Sequence, residues 1–313
     1  MLKKLFATVV MSISVSAFAV PFGSQSVLVV EDDTGKILIE KNADRVVPIA
    51  SLTKLMTAMV VLDAKQDMDE LIEIDRSDVD TVKHSSSRVP VGALISRRDV
   101  LQLALMSSDN RAAAALARTF PGGKEGFKAA VRRKIAVLGM TQTVIEEPTG
   151  LNPRNRSTAG DLVKMAAASS KYPEITAMTT ESKDLINING REVEYRNTNR
   201  LVGAKGWDIG LSKTGYIQEA GRCLIMNIKA GGKNATMVLL NAGASSARIL
   251  DALNIRRFIT GEKAPVVARA SSRAPRYKAS SSRARIKASA GKTKVKAVKK
   301  RSKAKVVPKR RKK

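Results

Sequence analysis

Arg222-Cys223-Leu224-Ile225-Met226-Asn227-Ile228 and Ala235-Thr236-Met237-Val238-Leu239-Leu240 are two apolar runs joined by Gly231-Gly232-Lys233-Asn234. Runs of this length on either side of a glycine-bearing turn read as a β-hairpin. Near the other end of the chain, Val27-Leu28-Val29-Val30 and Ile37-Leu38-Ile39 flank Glu31-Asp32-Asp33-Thr34-Gly35-Lys36 and read as a second. Between the hairpins the pattern turns helical. Leu55-Met56-Thr57-Ala58-Met59-Val60-Val61-Leu62 is long and apolar enough for a buried helix, although Val is a middling helix former. Arg98 to Met106 and Ala112 to Thr119 are Leu/Ala-rich, and Ser157-Thr158-Ala159-Gly160-Asp161 caps a helix running through Leu162-Val163-Lys164-Met165. Strands at both ends with helices between predict an α/β sandwich with a helical insert. Its sheet should be antiparallel, because hairpins build it.

The chain ends follow other rules. Lys3 and Lys4 precede an apolar run from Leu5 to Phe18, and Ala17-Phe18-Ala19 has the form of a cleavage signal. Residues 1–19 are therefore expected to be an export signal peptide, giving a periplasmic mature chain that starts near Val20. The apolar run is too short to span a bilayer comfortably. Residues 20–262 suffice for one large core or two joined subdomains. Residues 263–313 carry 21 Lys/Arg and no Asp or Glu, so the tail supplies +21 of the formal +28. Without apolar periodicity it cannot offset its ordering entropy, and disorder is expected there. Cys223 is the single cysteine, which excludes an intrachain disulfide and suggests a small buried side chain. With one His and one Cys, no zinc site of usual composition can be built, and neither metal nor cofactor is expected.

Three short segments carry the chemistry: Ser51-Leu52-Thr53-Lys54, Ser108-Asp109-Asn110 and Lys213-Thr214-Gly215. Singly they are ordinary, a helix cap, a turn and a strand end. Their order and wide spacing are not. At helical spacing Ser51 and Lys54 share a face. A Ser hydroxyl is a poor nucleophile, and an amine activates it only when partly neutral, which burial and a nearby charge such as Lys213 would favour. The helix N-terminus favours negative charge developing near Ser51.

This motif set is known in the penicillin-recognising serine hydrolases, and the sequence resembles that class from about Ser26 to about Phe258. Within it the chain looks most like the low-molecular-mass penicillin-binding proteins of peptidase family S11, D-alanyl-D-alanine carboxypeptidases or endopeptidases. Leu103–Ser108, Asn110–Ala114, Glu147-Pro148-Thr149-Gly150-Leu151-Asn152 and Ala220–Leu224 resemble the endopeptidase branch. The resemblance implies the β-lactamase/penicillin-binding-protein fold and acyl transfer. Ser51 would attack a D-alanyl carbonyl, Lys54 would take its proton and Ser108 would relay one to the departing amine. Asn110 would hold the substrate backbone, with Lys213 and Thr214 at the leaving side. The backbone N–H groups of Ser51 and Tyr216 would form the oxyanion hole, and Gly215 would leave room for a peptide lying along the strand. Implied partners are peptidoglycan stem peptides and, as covalent inhibitors, β-lactam antibiotics.

Other readings remain at this stage. Carboxypeptidase action on a terminal D-Ala-D-Ala uses the same machinery. A class A β-lactamase needs a carboxylate to activate water, and Glu147–Asn152 resembles its Glu-x-x-Leu-Asn loop with one residue added. The tail composition would also suit a polyanion-binding protein, but export points it to the anionic envelope surface and not to a specific nucleic acid. His84 reads as a solvated loop residue and Trp207 as packing. Arg222 could face a leaving-group carboxylate or solvent.

Overall fold

The structure, a computed structural model, describes residues 22–262; the expected signal peptide (1–19) and basic tail (263–313) lie outside them. In chain order the elements are β1 (Ser26–Glu31), β2 (Ile37–Lys41), β3 (Val47–Pro48), α1 (Thr53–Asp63), β4 (Leu71–Glu73), β5 (Leu94–Ser96) and α2 (Arg97–Leu105). There follow α3 (Asn110–Arg118), α4 (Gly123–Val137), β6 (Arg156–Ser157), α5 (Ala159–Ser169), α6 (Pro173–Thr180), β7 (Lys183–Ile188) and β8 (Arg191–Arg196). The last are β9 (Asp208–Ile217), β10 (Gly221–Ala230), β11 (Lys233–Ala242) and α7 (Ser245–Thr260).

Both expected hairpins join one five-stranded antiparallel sheet of order β2-β1-β11-β10-β9, which closes when β1 pairs with β11. The β10–β11 turn is only Gly231-Gly232, with φ +57° and +76°, the left-handed pair that a two-residue hairpin turn requires. Strand periodicity splits the apolar residues between two faces. Val27, Val29, Leu224, Met226, Met237 and Leu239 pack toward α7, with its Ala252, Ile255 and Ile259. Leu28, Cys223, Ile225, Val238 and Leu240 turn to the helical layer.

Helix α1 is the axis of that layer. Every residue from Thr53 to Val61 is buried, and α1 contacts all of α2 to α6. A helix apolar on all sides can only sit inside other elements. The Thr158 hydroxyl accepts from Asp161 N–H at 3.1 Å and caps α5 as the sequence indicates. Two hairpins stand outside the sequence expectations: β7–β8, joined by Asn189-Gly190, and β9–β10, joined by Gln218-Glu219-Ala220.

Candidate active site

Ser51 lies in a single 3-10 turn (Ala50–Leu52) that feeds α1. Ala50, just before it, has φ +49°, a conformation unfavourable for a residue with a Cβ. Surrounding groups hold it there. Ile49 N–H donates to Asn155 O at 3.0 Å, and the Thr53 hydroxyl donates to Ala50 O at 2.8 Å. Two glycines press on the turn from opposite partners. A Cβ on Gly150, whose φ is +85°, would lie 1.9 Å from Ala50 O, and one on Gly215 would lie 3.1 Å from Ser51 N and Ala50 Cβ. Gly215 thus has a reason beside the one expected: it lets β9 approach the backbone of Ser51.

Lys54, one turn on, is 1 % exposed. Its Nζ lies 2.9 Å from Ser51 Oγ, 2.7 Å from Asn110 Oδ1 and 2.7 Å from Thr149 O, so an ammonium there spends all three hydrogens. Burial brings its pKa down to about 8, against the charges of Glu147, Asp109 and Asp80. About a tenth of it is then neutral at pH 7, and in that form the same 2.9 Å contact is a Ser51 hydroxyl donating to the amine.

The second segment turns between α2 and α3. The Asp109 carboxylate caps α3 by accepting from Ala112 N–H at 3.0 Å and also accepts from the Ser87 hydroxyl at 2.7 Å. Asn110 opens α3, and its Nδ2 donates to Ser85 Oγ at 2.9 Å, so the amide joins Lys54 to the 80–88 loop. Ser108 sits at the crest with φ +60°; its hydroxyl has no hydrogen-bond partner among the described residues.

On the sheet side, Lys213 is 1 % exposed and donates to Thr214 O at 3.2 Å. Burial, then Lys54 and Arg248, push it well below the ordinary lysine range. The low pKa of Lys54 is therefore a burial effect and does not need the Lys213 charge assigned from sequence. The Thr214 hydroxyl meets that of Thr198 at 2.6 Å. Tyr216 is half exposed, and Arg222 stacks on its ring, the guanidinium carbon 3.5 Å from the centroid.

Glu147 is the residue whose role the sequence left open. Its carboxylate accepts from Thr149 N–H (2.7 Å), the Thr149 hydroxyl (2.6 Å), Gly150 N–H (2.7 Å), Asn152 N–H (3.3 Å) and Asn155 Nδ2 (3.0 Å). Those bonds fold the loop that presents Thr149 O to Lys54 and Gly150 to Ala50. Thr149, Gly150, Asn155 and Ser85 thus support the site without belonging to the three motifs. The quoted run Glu147–Asn152 contained Thr149 and Gly150; Asn155 and Ser85 had no signal in the sequence. His84 is exposed on its loop, Trp207 packs against the α7-side core and Cys223 is buried, as expected.

The description of peptidase family S11, D-alanyl-D-alanine carboxypeptidase, matches residues 13–244. A D-alanyl-D-alanine endopeptidase of Pseudomonas aeruginosa is 44 % identical over 80 % of this chain and 81 % of its own length. Its Escherichia coli counterpart in name is 43 % identical over the same shares. Among solved structures, the Streptomyces K15 DD-transpeptidase superposes with TM-score 0.72 at 26 % identity, covering 77 % of this chain and 98 % of that one. Penicillin-binding protein D2 of Listeria monocytogenes, in its ampicillin-bound form, does so with TM-score 0.66 at 28 % identity, covering 76 % and 98 %.

Proposed function

The chain belongs to the D-alanyl-D-alanine carboxypeptidase family, peptidase S11, and we propose that it cleaves D-alanyl cross-links of peptidoglycan through an acyl-enzyme on Ser51. The observation that carries the reading is the buried Lys54 amine 2.9 Å from the Ser51 hydroxyl, with its pKa lowered to about 8. Neutral Lys54 takes the Ser51 proton as Oγ bonds to the D-alanyl carbonyl carbon. The oxyanion collects the backbone N–H groups of Ser51 and Tyr216. One such donor is typically worth about 2.7–4 kcal/mol of barrier. As the C–N bond breaks, the proton passes from Lys54 through Ser108 to the departing amine. Water then enters, Lys54 takes its proton, and hydrolysis of the ester frees Ser51. Asn110 holds Lys54 and the substrate backbone, while Lys213 and Thr214 receive the leaving residue.

Two relatives at 43 % and 44 % identity bear the endopeptidase name, which supports the cross-link between D-alanine and diaminopimelate over a terminal D-Ala-D-Ala. The β-lactamase reading is disfavoured by Glu147, whose two oxygens are committed to five donors and retain no geometry for activating a water. The motif set makes β-lactams covalent inhibitors. The leader directs the enzyme to the periplasm, and the 21 basic residues of 263–313 tether it to anionic envelope surfaces. Mass analysis of purified muropeptides tests the choice of bond. Monomers arising from dimers are expected; free D-alanine released from monomeric pentapeptide much faster than dimers are split would overturn it.

A further inference from the structure

An ion pair spans two elements that approach the site from opposite sides. Lys83 Nζ lies 2.5 Å from Glu219 Oε1, and both side chains are partly exposed, 32 % and 40 %. Lys83 belongs to the 80–88 loop, which Asp80 fixes by accepting from the N–H groups of Val82 (2.7 Å), Lys83 (3.0 Å) and Ser85 (2.7 Å). The same loop reaches Asn110 through Ser85. Glu219 belongs to the β9–β10 turn, three residues after Tyr216.

The direction of the bound peptide decides what lies beneath this pair. Strand β9 is an edge of the sheet and can accept an extended peptide. Thr214 touches Thr198, which lines a cavity of about 360 Å³ with Arg200 and Arg248. That cationic end suits the carboxylate of the leaving residue. The acyl part therefore runs the other way, past Tyr216 toward Glu219. At about 3.4 Å per residue, Glu219 lies up to about 10 Å beyond Tyr216. One residue plus a side chain of four or five bonds covers that distance.

Building on the reading above, we propose that Lys83 and Glu219 recognise the side chain of the residue preceding the D-alanine, one that ends in both an ammonium and a carboxylate. A partly exposed pair costs little to open, about 0–1 kcal/mol being its usual worth. Opening it exposes one charge of each sign. An ammonium-only side chain would leave Lys83 unmatched and a neutral one would leave both; a zwitterionic end pairs both, converting one ion pair into two.

Acylation rates of two penicillins test this. Penicillin N carries an acyl chain ending in an ammonium and a carboxylate, and benzylpenicillin one ending in phenyl. The readout is the ratio of their acylation rate constants at Ser51. Glu219→Gln and Lys83→Met should each lower the ratio about fivefold, the size of one such ion pair. Raising salt to about 1 M, where screening length falls to about 3 Å, should lower the wild-type ratio in the same direction. A ratio unchanged in both variants and in salt overturns the subsite. Absence of any Ser51 adduct from either compound would instead overturn the acyl-enzyme reading, and the subsite with it.

Discussion

The floor and the rim of the site are built by opposite means. The floor is the Ser51 turn, Lys54 and the Glu147–Asn152 loop, where a carboxylate with five donors and two closely packed glycines leave the backbone no alternative. The rim is the 80–88 loop and the β9–β10 turn, joined by the partly exposed Lys83–Glu219 pair. Buried, fully bonded groups set what chemistry is possible, because moving one leaves others unsatisfied at full desolvation cost. Exposed pairs are individually weak and can be exchanged for a ligand's charges. Changes in the floor should therefore alter rates by orders of magnitude, and changes in the rim should alter selectivity by small factors.

The largest expected effect is total. Fluorescent penicillin should label the wild type on the peptide containing Ser51 and leave Ser51→Ala unlabelled; labelling at the normal rate would remove Ser51 as nucleophile. Lys54→Ala should fold and acylate at least about 10²-fold more slowly, as loss of a general base does, with Ser108→Ala losing less because water replaces a relay in part. Normal acylation of Lys54→Ala across the pH range would mean another base.

Gly150→Ala probes the floor through stability. The added Cβ would lie 1.9 Å from Ala50 O at a φ of +85°, and a loss of about 3 kcal/mol or more in denaturant unfolding is expected. A loss below about 1 kcal/mol would show that the loop is looser than its hydrogen bonds indicate.

The pH profile is a smaller and more selective probe. In the proposed mechanism only neutral Lys54 takes the Ser51 proton, so with its pKa near 8 the acylation rate should rise with pH up to about 8 and fall tenfold per unit well below it. Asp109→Asn keeps the α3 cap and removes a charge that holds the Lys54 pKa up, so the rise should move to lower pH. A shift to higher pH, or none, would separate the profile from Lys54.

The smallest effect on chemistry belongs to the tail. Deleting residues 263–313 should leave the rate on small soluble peptides unchanged while weakening binding to whole sacculi and anionic vesicles, and high salt should mimic the deletion. An equal loss on soluble peptides would place the tail in the enzyme's function proper.

The two hairpins were legible because strand alternation and glycine turns are local, and α1 was legible because an unbroken apolar run has only one place to go. The Asn189-Gly190 hairpin has the same kind of signal between weakly alternating flanks, Lys183–Ile188 and Arg191–Arg196, whose charges mask the pattern. Within the site, Ser51 and Lys54 could be paired by helical spacing alone. Their link to Asn110 is carried by motif order, not by any local rule. The contacts of Thr149 O and Ser85 and the close packing of Gly215 on the Ser51 turn could not be read at all, since each depends on a partner tens of residues away.

By itself the sequence determined the antiparallel sheet, the buried central helix and the residue types on which the proposed chemistry rests, because hydrophobic period and turn chemistry act within a few residues. Tertiary structure decided the state of those residues. Lys54 has its low pKa because the helices α2 to α6 surround α1, and the Ser51 turn keeps its strained shape because β9 and the Glu147 loop close on it. Burial and close contact are properties of what the rest of the chain packs against a residue, so they exist only once the fold is complete.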